Sequence, residues 1–142
     1  MSDVELEASS EWDENYKVDE IKRDGVHPWH SSANPKTAQW IVFKFKKATP
    51  VSGFRVKQLD AWSKYGFKNF KFETSNDELI WSLIYSGQAS NLGCCNWEEV
   101  DFGKSNRSKR FRLLMNDSWE TNSHFAIAQL ELKVCSGISI SN

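Results

Sequence analysis

The feature that most constrains this chain is a two-residue alternation of apolar and polar side chains, which recurs from about residue 38 onward. Successive side chains of a β-strand point to opposite faces, so this alternation predicts half-buried strands. Turn-forming Gly, Pro, Asn and Ser separate the runs, and helical periodicity is hard to find. The runs that we predict to be strands are Gln39 to Lys46, Val51 to Leu59, Phe67 to Ser75, Leu79 to Tyr85, Trp97 to Phe102, Lys109 to Met115 and Phe125 to Val134.

The segment before residue 38 is less regular. Val4 to Ala8 alternates and is predicted to be an edge strand, whereas Ser9 to Ala38 is predicted to be one long connection, of a length that is usually functional. Seven or eight antiparallel strands with uneven loops predict an all-β, two-sheet sandwich of the jelly-roll kind. We expect one domain over residues 1–142, with its core at about 4–135 and a loose tail at 136–142.

Charge and composition exclude several classes of function. The 18 Lys and Arg balance the 19 Asp and Glu, so no bulk field draws the chain to nucleic acid or to an anionic membrane. No apolar run approaches the roughly 20 residues that span a bilayer. Residues 1–14 are acidic where a signal peptide would be basic, so we expect a cytoplasmic protein as the sequence stands, and an extracellular one if a leader is missing. Three cysteines, Cys94, Cys95 and Cys135, do not make a disulfide framework.

Catalysis is not expected. The chain contains no nucleophile elbow, zinc-protease motif, phosphate loop or dinucleotide fingerprint. The adjacent Glu98 and Glu99 lie on a predicted strand, where neighbouring side chains point to opposite faces, so the two carboxylates cannot act on one substrate together.

Several short motifs occur in the order found in the discoidin domains, also called coagulation factor type C domains. The chain resembles that family over about residues 8–134. The motifs are Ala8-Ser9-Ser10, Asp24-Gly25 before Trp29-His30-Ser31, Gln39-Trp40-Ile41-Val42-Phe43, Pro50 to Phe54, Thr74 to Asp77 before Trp81, Arg110 to Leu113 and Ile127 to Leu132. The resemblance implies a galactose-binding-like fold and a binding function. It also implies a structural calcium site, to which Asp24 and Glu131 correspond, although the segment after Asp24 lacks the usual Thr.

Seven Trp and nine Phe are more than a core of this size needs, so some should lie on the surface. A sugar offers an apolar face and a rim of hydroxyls, and its site needs an aromatic platform flanked by hydrogen-bonding groups. Loops at one end of the sandwich supply both: Val26 to Ala38, Asp60 to Gly66, Ser90 to Trp97 and Asp117 to Phe125. The candidate platforms are Trp62, Trp119 and Phe125, and the candidate hydrogen-bonding groups are His30, Asp60, Asn122 and His124.

The first hypothesis is therefore a non-catalytic, lectin-like module that binds galactose-type glycans or glycoproteins. The second is an intracellular adaptor that binds a protein partner, which the unpaired cysteines favour. A third is a phospholipid-binding domain, with Trp62, Tyr65 and Phe67 as apolar spikes beside lysines. Because the net charge is near zero, phospholipid binding is the weakest of the three hypotheses. The oligomeric state is open.

Overall fold

A computed structural model describes residues 4–22, 27–32, 38–57, 66–90, 96–119 and 125–135. These residues form β-strands and two short 3-10 helices, Glu14–Tyr16 and Val18–Lys22. The part of the chain so described holds no helix that is long and apolar enough to cross a membrane. The strands are β1 (Val4–Ala8), β2 (Trp29–His30), β3 (Gln39–Lys57), β4 (Asn69–Ser75), β5 (Ser82–Gln88), β6 (Trp97–Met115), β7 (Ala126–Ile127) and β8 (Gln129–Val134).

The strands pair antiparallel throughout the described residues. The main sheet has the order β1-β3-β6-β4-β5, β8 pairs with β3 outside this path, and β2 pairs with β7. The first half of β3 lies between β1 and the second half of β6, whereas its second half lies between β8 and the first half of β6. The two long strands thus pass through both layers, and the predicted all-β sandwich is confirmed.

Strands β3 and β6 correct the predicted boundaries. Each was expected to be two strands, broken at Thr49-Pro50 and at residues 103–108, but each runs for 19 residues. Pairing between them shifts register between Lys44 and Thr49 and resumes at Thr49 opposite Ser108. The turn-forming residues at these positions therefore mark a bend at which the two strands stay paired, and they do not mark the end of a strand.

A second register shift lies between Val51 and Gly53 on β3. A Cβ atom on Gly53 would overlap the carbonyl oxygen of Val100 on β6. Gly53 therefore lets the two backbones approach at this irregularity, because any side chain would push β6 away.

The core is dominated by phenylalanines from facing strands. Phe72 is fully buried, and its ring centroid lies 4.8 Å from that of Phe102 and 5.7 Å from that of Phe54. The two-residue alternation places Phe72 inward, where the structure has it, and Glu73 outward. Glu73 is nevertheless only 9% exposed, and its carboxylate accepts a 2.8 Å hydrogen bond from Nε of Arg112.

Three further strand predictions need correction. Leu79 and Ile80 were placed in a strand, but their backbone amides donate to the carboxylate of Asp77, which makes a turn and delays β5 to Ser82. The last predicted strand is interrupted at Ala128, whose N–H donates to the carbonyl of Lys57. The predicted long connection from Ser9 to Ala38 contains both 3-10 helices and β2.

The strand pairings bring several chain connections to one end of the sandwich. Gln39 lies opposite Met115, Phe70 also lies opposite Met115, and Asn69 lies opposite Gln88. In the other layer Lys57 lies between Trp97 and Gln129. We call this end the loop end, since the connections after β1, β3, β5 and β6 all begin there.

Candidate functional site

The base of the loop end is a network of hydroxyl groups around Gln39. The side-chain hydroxyls of Ser9 and Ser10 donate to Oε1 of Gln39 over 2.7 and 2.5 Å. Oγ of Ser9 also accepts from the N–H of Trp40, and Oγ of Ser10 accepts from the N–H of Ser32. The small-residue motif and the Gln-Trp motif are therefore parts of one structural junction.

A second junction joins β2 to β7 through Ser31, which is fully buried. The N–H of Ser31 donates to the carbonyl of Phe125 over 2.8 Å, and the N–H of Phe125 donates to Oγ of Ser31 over 2.9 Å. Phe125 is 4% exposed and packs into the core cluster, so its ring adds little to the surface of the loop end. Its predicted role as a ligand platform stays a prediction.

His30 is also fully buried and forms part of an aromatic cluster. Its Nδ1 donates to the carbonyl of Ser31 over 2.9 Å, and its ring meets those of Trp12 and Tyr16 edge to face at 4.5 and 5.6 Å. Burial lowers the pKa of His30 below its ordinary value, against smaller opposing effects of the Ser31 carbonyl and of Asp13. The neutral imidazole thus has a packing role here, and its predicted ligand contact stays a prediction.

Trp12 is the most exposed aromatic residue of this cluster, with 47% exposure. Trp12 was not among the predicted site residues, because it lies in the irregular segment between β1 and β2. One local signal was present: Asp13 caps the first 3-10 helix by accepting the N–H of Asn15, so Trp12 precedes a helix start on a fixed backbone.

Trp119 is the predicted platform that the structure places partly exposed at the loop end. Its backbone N–H donates to the carbonyl of Gly66, and the ammonium of Lys68 lies 5.0 Å from the ring centroid. The indole Nε1 is buried, and no described residue accepts its hydrogen. Trp119 therefore combines a partly exposed apolar ring with a nearby cation.

The backbone beneath Trp119 is held by Asp117. The carboxylate of Asp117 accepts from both the backbone N–H and the side-chain amide of Asn69, over 2.8 and 2.9 Å. The carbonyl of Asp117 accepts from the N–H of Lys68 over 2.7 Å, and Phe67 bridges to Ser118. Two connections, those after β3 and β6, are thereby fixed side by side.

Trp97 lies on the other layer of the loop end, with two cations close to its ring. The guanidinium of Arg55 lies 4.1 Å from its ring centroid and the ammonium of Lys57 lies 5.2 Å from it. Arg55 is also bound to the carboxylate of Glu131, with Nε to Oε1 at 2.6 Å. Trp97 was predicted only as the end of a loop, and its contact with Arg55 is not evident from the sequence.

The predicted calcium site is only partly within the described residues. Glu131 lies in β8, where Arg55 already binds its carboxylate, so a cation would compete with that guanidinium. No group of three or more His, Cys, Asp or Glu that could hold a metal ion is found in the described ranges. Asp24 lies outside the described residues, and calcium binding stays a prediction.

The other predicted site residues, Asp60, Trp62, Asn122 and His124, also lie outside the described residues, as do Cys94 and Cys95. Cys135 is partly buried and forms no disulfide with any residue that the structure describes.

Comparison with known protein families identifies the class of this chain. The model of the F5/8 type C domain matches residues 5–130, so the chain belongs to the F5/8 type C, or discoidin, domain family. The family resemblance seen in the sequence is confirmed. No curated protein sequence matches the chain.

Solved structures show the same fold at low sequence identity. An F5/8 type C domain from Bacteroides fragilis has a TM-score of 0.77 and 14% identity, with 92% of this chain and 91% of that chain covered. A carbohydrate-binding module from Clostridium perfringens (CpGH89CBM32-5), solved with GalNAc-β-1,3-galactose, has a TM-score of 0.76 and 16% identity over 93% and 96% of the two chains. The family 32 module of NanJ from C. perfringens, solved with galactose, has a TM-score of 0.75 and 16% identity over 92% and 93%.

Proposed function

We propose that this domain is a non-catalytic carbohydrate-binding module that binds galactose-type glycans at the loop end. The observation that carries the proposal is Trp119, which is partly exposed beside Lys68 at the junction of two loops. Support comes from structures of the same fold that were solved with galactose and with GalNAc-β-1,3-galactose.

The geometry around Trp119 suits a sugar. The apolar face of a galactose ring packs on an indole ring, while its hydroxyls need donors and acceptors at the rim. The ammonium of Lys68 supplies a donor, since it lies 5.0 Å from the ring centroid of Trp119.

The remaining candidates extend this site. Segment 58–65 ends at Gly66 and segment 120–124 follows Trp119, and these two residues are joined by a backbone hydrogen bond. Asp60, Trp62, Asn122 and His124 therefore belong to segments that adjoin the platform. We propose that they supply the further hydrogen bonds and a second apolar surface that a single tryptophan cannot provide.

A glycan array with the purified domain tests this function. Array binding is measured once with calcium and once with a chelator. Retention of galactose-terminated glycans supports the proposal, and loss of that signal in chelator would assign a supporting role to calcium. A blank array from protein that is folded by circular dichroism would refute carbohydrate binding and favour the adaptor hypothesis.

A further inference from the structure

The two edges of the main sheet differ in charge. Strand β1 forms one edge and carries the exposed Glu5 and Glu7. Strand β5 forms the other edge, and the sequence from Leu79 to Trp97, which includes β5, contains no charged residue. Exposed strand edges tend to pair with other strands, and proteins commonly block that pairing with charges. The β1 edge has such charges. The β5 edge has none, and its pairing with β4 is irregular only at Ile84, opposite the step from Phe72 to Glu73.

The turn that precedes β5 adds an exposed apolar surface. Leu79 is 83% exposed, Ile80 is 74% exposed and Leu83 is 58% exposed. The turn is held by two side chains: Oγ of Ser75 accepts from the N–H of Glu78, and the carboxylate of Asp77 accepts from the N–H groups of Leu79 and Ile80. Leu79 and Ile80 are thus kept in solvent by a fixed backbone, and Leu83 is exposed on β5 itself, so all three are available for a contact.

The inner side of β5 is fully used by its own domain. Its backbone pairs with β4 from Ser82 to Gln88, and the ring of Tyr85 packs at 5.3 Å from Phe102 and 6.0 Å from Phe70. No described strand pairs with the outer side of β5. The strand is therefore anchored on one side and presents its remaining backbone groups on the other.

We propose that β5 pairs antiparallel with β5 of a second copy of this chain, so that the main sheets of two domains become continuous. An antiparallel pair of identical strands is self-complementary about a two-fold axis, as an isologous dimer interface requires. An uncharged strand meets itself without like-charge repulsion, whereas a specific foreign partner is commonly selected by complementary charges. Leu79, Ile80 and Leu83 from both copies would then lose solvent exposure together.

The dimer has a consequence that rests on the proposed function. The two-fold axis of an antiparallel pair is perpendicular to the sheet, so it reverses the direction of every strand. The two loop ends therefore point in opposite directions. Such a dimer bridges two separate glycan-bearing surfaces, and does not place both sites on one surface.

Sedimentation velocity over a range of concentrations of the full chain tests the pairing, with three variants beside the natural sequence. Ser86→Glu and Leu83→Lys place charges of opposite sign on β5, and each puts like charges on both sides of the two-fold axis. Ser105→Glu is the matched control, since Ser105 is an exposed serine at the bend of β6. Ser86 lies opposite Lys71, so the new glutamate gains a favourable neighbour within the monomer.

We expect a dimer for the natural chain and for Ser105→Glu, and at least a tenfold increase in the dimer dissociation constant for both β5 variants. Hydrogen exchange should show amides of Ser82–Gln88 that become more protected as protein concentration rises. A natural chain that stays monomeric at the highest soluble concentration would overturn the proposal. A dimer that persists in both β5 variants, or leaves β5 exchange unchanged, would overturn it equally. None of these readouts depends on glycan binding, so failure of the proposed function would be seen separately.

Discussion

Replacement of Ser31 by alanine should destabilise the domain, because it removes one oxygen atom that makes two hydrogen bonds. Oγ of the fully buried Ser31 accepts from the N–H of Phe125 over 2.9 Å and donates to the carbonyl of Ser32 over 3.1 Å. Without that oxygen the N–H of Phe125, a residue 4% exposed, loses its acceptor. A buried donor left unsatisfied costs about 1–3 kcal/mol, so we expect a loss of about 2 kcal/mol in the free energy of unfolding.

For a chain of this length, about 2 kcal/mol corresponds to a fall in Tm of roughly 6 °C. Urea unfolding and differential scanning calorimetry measure the two quantities. Ser105→Ala is the matched control, because Ser105 is exposed and a surface substitution changes stability by no more than about 0.5 kcal/mol. A Ser31→Ala variant within about 0.5 kcal/mol of the natural chain would refute the role assigned to this hydroxyl.

Three further predictions concern His30, Phe72 and Asp117. Because burial lowers the pKa of His30 in the folded state, the stability of the domain should fall as the pH drops below about 6.5, the ordinary pKa of the unfolded side chain. A His30→Gln variant should show a shallower dependence of Tm on pH between 7.5 and 5. Phe72→Ala, which empties the centre of the fully buried aromatic cluster, should cost about 3–5 kcal/mol in urea unfolding, and a loss below about 1 kcal/mol would contradict the packing described. Asp117→Ala removes the acceptor for the backbone N–H and the side-chain amide of Asn69, so it should weaken galactose binding several-fold, as measured by calorimetry. The control is Asp77→Ala, at the turn before β5, which should leave the affinity for galactose unchanged.

Much of the fold follows from the alternation of apolar and polar residues. The inward phenylalanines of β3 and β4, together with the β1 edge strand, lie as that alternation predicts. The bends of β3 and β6 were not predictable in this way, because Pro and Gly mark both a break between strands and a bend within one. The strand predicted at Leu79 and Ile80 is wrong for a related reason. Their apolar character suggested a strand, but Asp77 binds their amides in a turn and both side chains are exposed.

The candidate site was predictable in part. Trp119 lies at the loop end, where the order of predicted strands and loops placed it. The burial of His30 and of Phe125 could not be predicted from their sequence neighbours. His30 packs against Trp12, and Phe125 is bound by Ser31, and each of these partners comes from another segment of the chain. The Arg55–Trp97 stack likewise depends on the pairing of β3 with β6, which the sequence pattern does not specify.

The central claim is that galactose binds on Trp119, and titration calorimetry with free galactose tests it most directly. Covering about 60 Å² of apolar surface at about 25 cal/mol per Å² is worth about 1.5 kcal/mol, so Trp119→Ala should weaken binding more than tenfold. Trp81→Ala is the matched control, since Trp81 stacks on Arg112 in the turn before β5, away from the loop end. Galactose binding that is lost in Trp119→Ala and kept in Trp81→Ala is the predicted result. Equal affinity in the natural chain and the Trp119→Ala variant would contradict the account.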